Sequence, residues 1–125
     1  MNNENNRHVS VIELGALTAD GDVFGLYFPR KSKVVGAWMA NGATVAASDT
    51  DYFQVSLLVG STVIAELDTR AAHENGVTAN VPKAMNLVAA AQEVAAGSYA
   101  KVTYNEEGTM ALTAQARVIV EWFPY

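Results

Sequence analysis

The stretch from Tyr52 to Arg70 leaves little freedom in how this chain folds. It reads YFQVSLLVG, a turn, then TVIAELDTR. Phe53, Val55, Leu57 and Val59 alternate with Tyr52, Gln54, Ser56 and Leu58, the period of a strand with one buried face. Val63, Ala65 and Leu67 then alternate with Ile64, Glu66 and Asp68, which predicts a second strand. Gly60-Ser61 between them is a hairpin signal, because glycine adopts the positive φ of a tight connection. A strict two-residue loop carried through without interruption sets Leu57 opposite Ile64 and Val55 opposite Glu66, mixing the apolar and polar faces. A longer loop, or an adjacent bulge, restores Leu57 opposite Ala65 and Val55 opposite Leu67. A one-residue slip would expose a whole hydrophobic face, so the longer loop or the bulge is expected.

The same period recurs along the chain. His8–Leu17 predicts a strand with Val9, Val11 and Glu13 on one side and Ile12 and Leu14 on the other. Asp20-Gly21 is hairpin chemistry. Val23–Phe28 is aromatic-rich and stops at Pro29, which has no N–H for a ladder. Val34–Ala40 is a further strand, and 43–51 a loop. Pro82–Val88 holds a short strand with Met85 and Leu87 on one side. Alanine-rich 87–97 is expected to give at most one or two helical turns, ended by Gly97. Ser98–Asn105 puts Ala100, Val102 and Tyr104 on one face, and Glu106-Glu107-Gly108 is turn chemistry. The last strand is the longest: Leu112, Ala114, Ala116, Val118, Val120 and Trp122 alternate with Thr113, Gln115, Arg117, Ile119, Glu121 and Phe123. One wholly apolar face over that length predicts a strand inside a sheet. Seven to eight strands with frequent turns and at most one short helix make an all-β, antiparallel β-sandwich or barrel.

At 125 residues this is one domain, 8–125, behind a polar arm, 1–7, that buries nothing by itself. No apolar run approaches the ~20 residues of a membrane span, and the first residues lack the pattern of a secretory signal. There is no cysteine, which removes disulfides and thiolate chemistry and fits a reducing compartment. A net charge of −5 argues against binding a phosphate backbone. The basic cluster Arg30-Lys31-Ser32-Lys33 reads as a solvated turn or as a contact to an acidic protein partner.

Catalytic and metal signatures are missing from the sequence. His8 and His73 lie far apart, and neither has a nucleophile-elbow context. Asp49-Thr50-Asp51 has the alternate acids of a calcium loop without its later Gly and Glu, and its plainer reading is turn chemistry. Glu106 and Glu107 diverge on a strand. Trp38 and Trp122 read as core. Tyr52, Tyr99, Phe123 and Tyr125 read as outer-face rings able to stack on sugars or to be covered by another subunit. No catalytic residue, metal or cofactor is expected.

Several segments together resemble one family. The strand lead Asp49-Thr50-Asp51-Tyr52, the Gly60 hairpin, the Asp68-Thr69 strand end, the Val94-Ala95-Ala96-Gly97 lead and the closing Trp122-Phe123-Pro124 are similar to the small jelly-roll-like virion proteins of tailed bacteriophages. These include capsid decoration (cement) proteins and head-fibre modules. The likeness covers roughly 34–125 and consists of structural punctuation. It implies a non-enzymatic protein on the outer capsid surface of a virion, made in the host cytoplasm, that binds the major capsid protein and forms a homotrimer, with no nucleic-acid or membrane partner. On this reading Asn2, Asn3, Asn5, Arg7, Arg30, Lys31 and Lys33 are the expected partner-binding residues. Leu58, Ile64, Ile119 and Phe123 are apolar residues of outer faces and the expected oligomer interface. The rival expectation is a carbohydrate-binding β-sandwich of a fibre or tail, hinted at by Tyr52 beside Asp49.

Overall fold

The computed structural model describes residues 7–17, 20–70, 76–108 and 112–125. Ten strands carry the fold: β1 (His8–Leu17), β2 (Gly21–Phe28), β3 (Ser32–Asn41), β4 (Tyr52–Val59), β5 (Thr62–Asp68), β6 (Lys83–Ala84), β7 (Asn86–Leu87), β8 (Glu93–Val94), β9 (Ser98–Glu107) and β10 (Leu112–Pro124). They form two antiparallel sheets. The first has the order β1-β10-β3-β6, with β8 also on β3; the second runs β2-β9-β4-β5-β7. Only Ala89–Ala91 departs from strand and loop among the described residues, as a single 3-10 turn.

The order follows from one folding move. If β6, β7 and β8 count as one interrupted strand, first pairs with last (β1 with β10), second with second-last (β2 with β9), third with that interrupted strand, and β4 with β5. A single long antiparallel ribbon, bent at the β4–β5 hairpin and rolled up, gives that set of pairs and two Greek keys, which is the jelly roll. The all-β sandwich expected from the period-two pattern is therefore present.

The central hairpin shows how the register was resolved. Val55 pairs with Leu67 and Leu57 with Ala65, while Leu58 pairs with Val63 and Val59 with Thr62. The loop is the short one, with Gly60 at φ 61°, and a bulge at Ile64 absorbs the extra residue. That bulge shifts the phase by one and turns the Ile64 side chain into the core, where it is 1 % exposed. Ile64 is thus removed from the expected outer-face set.

The inner faces meet as one core. Phe53, Val55 and Leu57 from β4 pack with Ala100, Val102 and Tyr104 from β9 and with Ala116, Val118 and Val120 from β10. The Phe28 ring meets Trp122 edge-on at 5.1 Å, and the Trp122 Nε1–H donates to Ser10 Oγ at 3.0 Å. A ring of that size gains most from burial when its one polar atom is also satisfied. Strand β10 does lie inside its sheet, between β1 and β3.

Two expectations fail, and a third holds in outline only, for reasons that periodicity cannot see. Asp20-Gly21 does not close a hairpin: β1 and β2 belong to different sheets, so it is a corner, and Asp20 accepts a hydrogen bond from the Glu106 backbone N–H at 2.8 Å. The segment 83–94 holds strand within 82–88 and one helical turn at Ala89–Ala91, as expected, but split into more pieces than the period showed. It laces the open side of the sandwich, β6 on β3, β7 on β5 and β8 back on β3, with Met85 buried between the sheets. Trp38 is not core. It sits on the outer side of β3, and its ring lies flat over Gly36, where any side chain would collide with it.

Candidate interaction surfaces

The turns divide the sandwich into two ends of opposite charge. At one end lie the β2–β3 link, the Gly60 turn, the β8–β9 link, the first residue of β1 and the C-terminal Tyr125. This end carries Arg7, Arg30, Lys31 and Lys33, against Glu93 and Glu121. The other end holds the β1–β2, β3–β4 and β9–β10 links, with Asp20, Asp49, Asp51, Asp68, Glu106 and Glu107 against Arg70 and Lys83. Asymmetry of this kind survives an unfavourable net charge because the field near a surface is set by its nearest charges.

Local bonds hold the basic end in shape. The Ser32 hydroxyl donates to the Arg30 carbonyl at 2.7 Å, tightening the turn after Pro29. The Tyr125 backbone N–H donates to the Lys31 carbonyl at 2.9 Å, and the Lys31 ammonium sits 4.8 Å from the Tyr125 ring centroid. Burial, then the hydrogen bond and charge of Glu93, hold the Tyr125 phenol above its ordinary value. Arg7 Nη1 meets Glu121 Oε1 at 2.7 Å. The four cations expected to bind a partner, all in the first 33 residues, thus lie at the same end of the sandwich as the C-terminal Tyr125. Asn2, Asn3 and Asn5 lie outside the described residues.

Beside this end, on the outer face of the second sheet, three rings stand in solvent. Phe24 is 63 % exposed, Tyr27 51 % and Tyr99 50 %. Phe24 and Tyr27 each meet Tyr99 at ring-centroid distances of 5.8 and 5.9 Å. Next to them is an open cleft of about 540 Å³ lined by Phe24, Val59, Gly60, Ser98, Tyr99 and Lys101. Lys101 lies 5.9 Å from the Phe24 ring centroid and 3.4 Å from Asp22. Sequence alone missed Phe24 and Tyr27 as surface rings. Their signal was present: Leu26 and Phe28 set the inner phase of β2, and Gly25 breaks it at a bulge.

Over its middle the outer face of that sheet is polar. Glu66, Ser56, Thr103 and Asp22 form one cross-strand row. Leu58 lies half-buried in the next row, between Val63 and Lys101. The outer face of the first sheet is different. Val11 of β1 pairs with Ile119 of β10, Ile119 with Trp38 of β3, and Trp38 with Ala84 of β6, an apolar row across all four strands. Ile119 and Trp38 are half-buried and Val11 is 46 % exposed. Phe123, on the same face, is half-buried against Tyr125 at 6.0 Å.

The acidic end is a closed network. Arg70 donates to both carboxylate oxygens of Asp68, at 2.6 to 3.1 Å, and Gln54 Nε2 donates to Asp68 Oδ2 at 2.9 Å. Partial burial alone pushes the Asp68 carboxyl up. The hydrogen bonds from Arg70 and Gln54, with the Arg70 charge, overcome that and hold it at about 2. Arg70 also covers the Tyr52 ring at 4.7 Å, so Tyr52 is not an open platform for a sugar. Ser48 Oγ accepts from the Asp51 N–H at 3.1 Å and the Thr50 N–H at 3.3 Å, the turn reading of that segment. Among the described residues no three His, Asp or Glu side chains group as metal ligands, and no helix is long and apolar enough to cross a membrane. His73 lies outside the described residues.

Comparison of the chain with protein-family models, with curated proteins and with solved structures returned no match.

Proposed function

We propose that this chain is a structural protein of a bacteriophage head, a decoration protein that attaches to the outer surface of the major capsid protein lattice and stiffens it. The observation that supports this most is the gathering of Arg7, Arg30, Lys31 and Lys33 with the exposed rings of Tyr27, Tyr99 and Tyr125 at one end of a two-sheet jelly roll. Exposed tyrosines and arginines on a rigid platform are enriched in protein-docking surfaces. Cations at one end also orient the molecule as it approaches an acidic shell. Repetition over a lattice turns a modest single contact into durable attachment. The sequence likeness to phage virion proteins points the same way. The test is binding to purified capsids that lack the protein. Saturable binding is expected, and it should be lost in Arg30→Glu/Lys31→Glu/Lys33→Glu while circular dichroism is unchanged. Binding that this variant retains in full would sink the assignment of the basic end.

One observation favours a second reading, carbohydrate binding by a fibre or tail module. Phe24, Tyr27 and Tyr99 offer exposed ring faces beside the Ser98 hydroxyl and the Lys101 ammonium, the mixture of stacking surface and polar rim that a sugar ring uses. A glycan array separates the two. Specific signals abolished by Tyr99→Ala would favour this reading, and a blank array would favour the first.

A further inference from the structure

The outer face of the first sheet carries a pattern that goes beyond attachment to a shell. Take the apolar row Val11, Ile119, Trp38 and Ala84 as a line across the strands. One step to one side along the strands lie Glu13 on β1, Arg117 on β10 and Ala40 on β3. One step to the other side lie Val9 on β1, Glu121 on β10 and Gly36 on β3. Arg7 reaches into that second flank to bond Glu121, and Arg117 faces Glu13 at 3.6 Å in the first. Each flank therefore holds one Arg and one Glu, with the order across β1 and β10 reversed.

We infer that this face is a two-fold interface between two copies of the chain, with the symmetry axis lying along the apolar row. Rotation about that axis keeps each strand opposite its own copy and exchanges the two flanks. Arg117 then faces Glu121 of the copy and Glu121 faces Arg117, so that contact is made twice, while Glu13 meets Val9 of the copy with the Arg7 guanidinium, held on Glu121, at its side. An axis along β10 would instead set Arg117 on Arg117 and Glu121 on Glu121, which like-charge repulsion disfavours. The charges thus favour the first of these two axes.

Shape chooses the same axis. The Trp38 ring, laid over Gly36, is a raised block on the second flank. On the first flank the surface is hollow, a depression of about 440 Å³ bordered by Ala40, Gly42, Pro82, Gln115, Arg117 and Ile119. The rotation brings each Trp38 ring over the copy's Ala40 and into that hollow. A partly buried tryptophan whose remaining surface enters a partner's pocket in an apolar row is a usual anchor of a protein interface. The area is adequate too. Three strands ~4.8 Å apart and about ten residues long, with the two residues of β6 at their edge, present roughly 500 Å² per copy, at the small end of specific interfaces.

The pairing is independent of what the pair attaches to, so loss of capsid binding and loss of pairing are separate results. Analytical ultracentrifugation across the micromolar range tests it. The chain should sediment at twice its 13.3 kDa. Arg117→Glu alone and Glu121→Arg alone each place like charges across the axis twice, and should raise the dissociation constant at least ~10-fold. Mixing the two variants in equal amounts restores both attractive contacts, so the double mass should return. Trp38→Ala should weaken pairing while the circular dichroism stays that of the folded sheet. A monomeric or trimeric wild-type chain, or a mixture of the two charge variants that stays at the single mass, would overturn the inference.

Discussion

The two sheets of this jelly roll are alike on the inside and unlike on the outside. The first contributes Ile, Leu, Val, Met and Trp side chains to one shared core, and the second Leu, Val, Phe and Tyr. Outside, the second sheet shows Ser56, Thr103, Glu66 and Asp22 over its middle and keeps its exposed rings to one end, whereas the first carries an apolar row from edge to edge. Folding accounts for both inner faces, since neither sheet is stable without the other to cover it. It does not account for the outer row. Polar residues there would serve a monomer as well, as they do on the second sheet, so the difference between the outer faces points to what covers the first of them.

Three substitutions probe the contrast. The largest effect belongs to the inner side of β10: Val118→Asp places an unpaired charge where the native residue is fully buried, and the chain should fail to fold at neutral pH, read as loss of the β-sheet circular dichroism signal. Next comes the network at the acidic end. Asp68→Asn removes the carboxylate that Arg70 and Gln54 hold, and should cost on the order of 1 kcal/mol by denaturant titration near pH 7, after allowing for solvent screening. The Asp68 carboxyl titrates at about 2 in the fold against an ordinary value of 3.8. Its contribution is therefore complete above pH 4, fades as the pH falls toward 2, and is absent below that. The gap between wild type and Asp68→Asn should close over the same interval. The smallest effect is expected on the second sheet's outer face, where Thr103→Lys should stay within about 0.5 kcal/mol and leave the sedimenting mass unchanged. A large loss of mass there would erase the contrast between the faces.

How far the sequence carried this reading depends on what a period of two can encode. It encodes which side of a strand is buried, so the inner phases of β4, β9 and β10 were legible, and the bulge beside the Gly60 turn followed from keeping them aligned. It does not encode the partner strand. The Asp20-Gly21 pair therefore looked like a hairpin, although its strands join different sheets. Two-residue strands have no period at all, which hid the lacing of 83–94 between the sheets. Ile64 and Trp38 were misplaced for a related reason. The bulge at Ile64 moved its side chain inward, and the irregularity at Val35 in the β3–β10 register put Trp38 on the outside. Of the candidate surfaces, Arg30, Lys31 and Lys33 were visible as a run. The meeting of Arg7 and Tyr125 with that run needed the strand order, and so did the apolar row, whose four members come from four separate segments.

Ile119 lies at the centre of that row and next in sequence to the buried Val118, so it separates folding from adhesion most directly. Sedimentation equilibrium of Ile119→Lys, with far-ultraviolet circular dichroism on the same sample, is the decisive measurement. A folded β protein at the mass of one chain is the predicted result; an unfolded chain, or a folded one that associates as the wild type does, would contradict it.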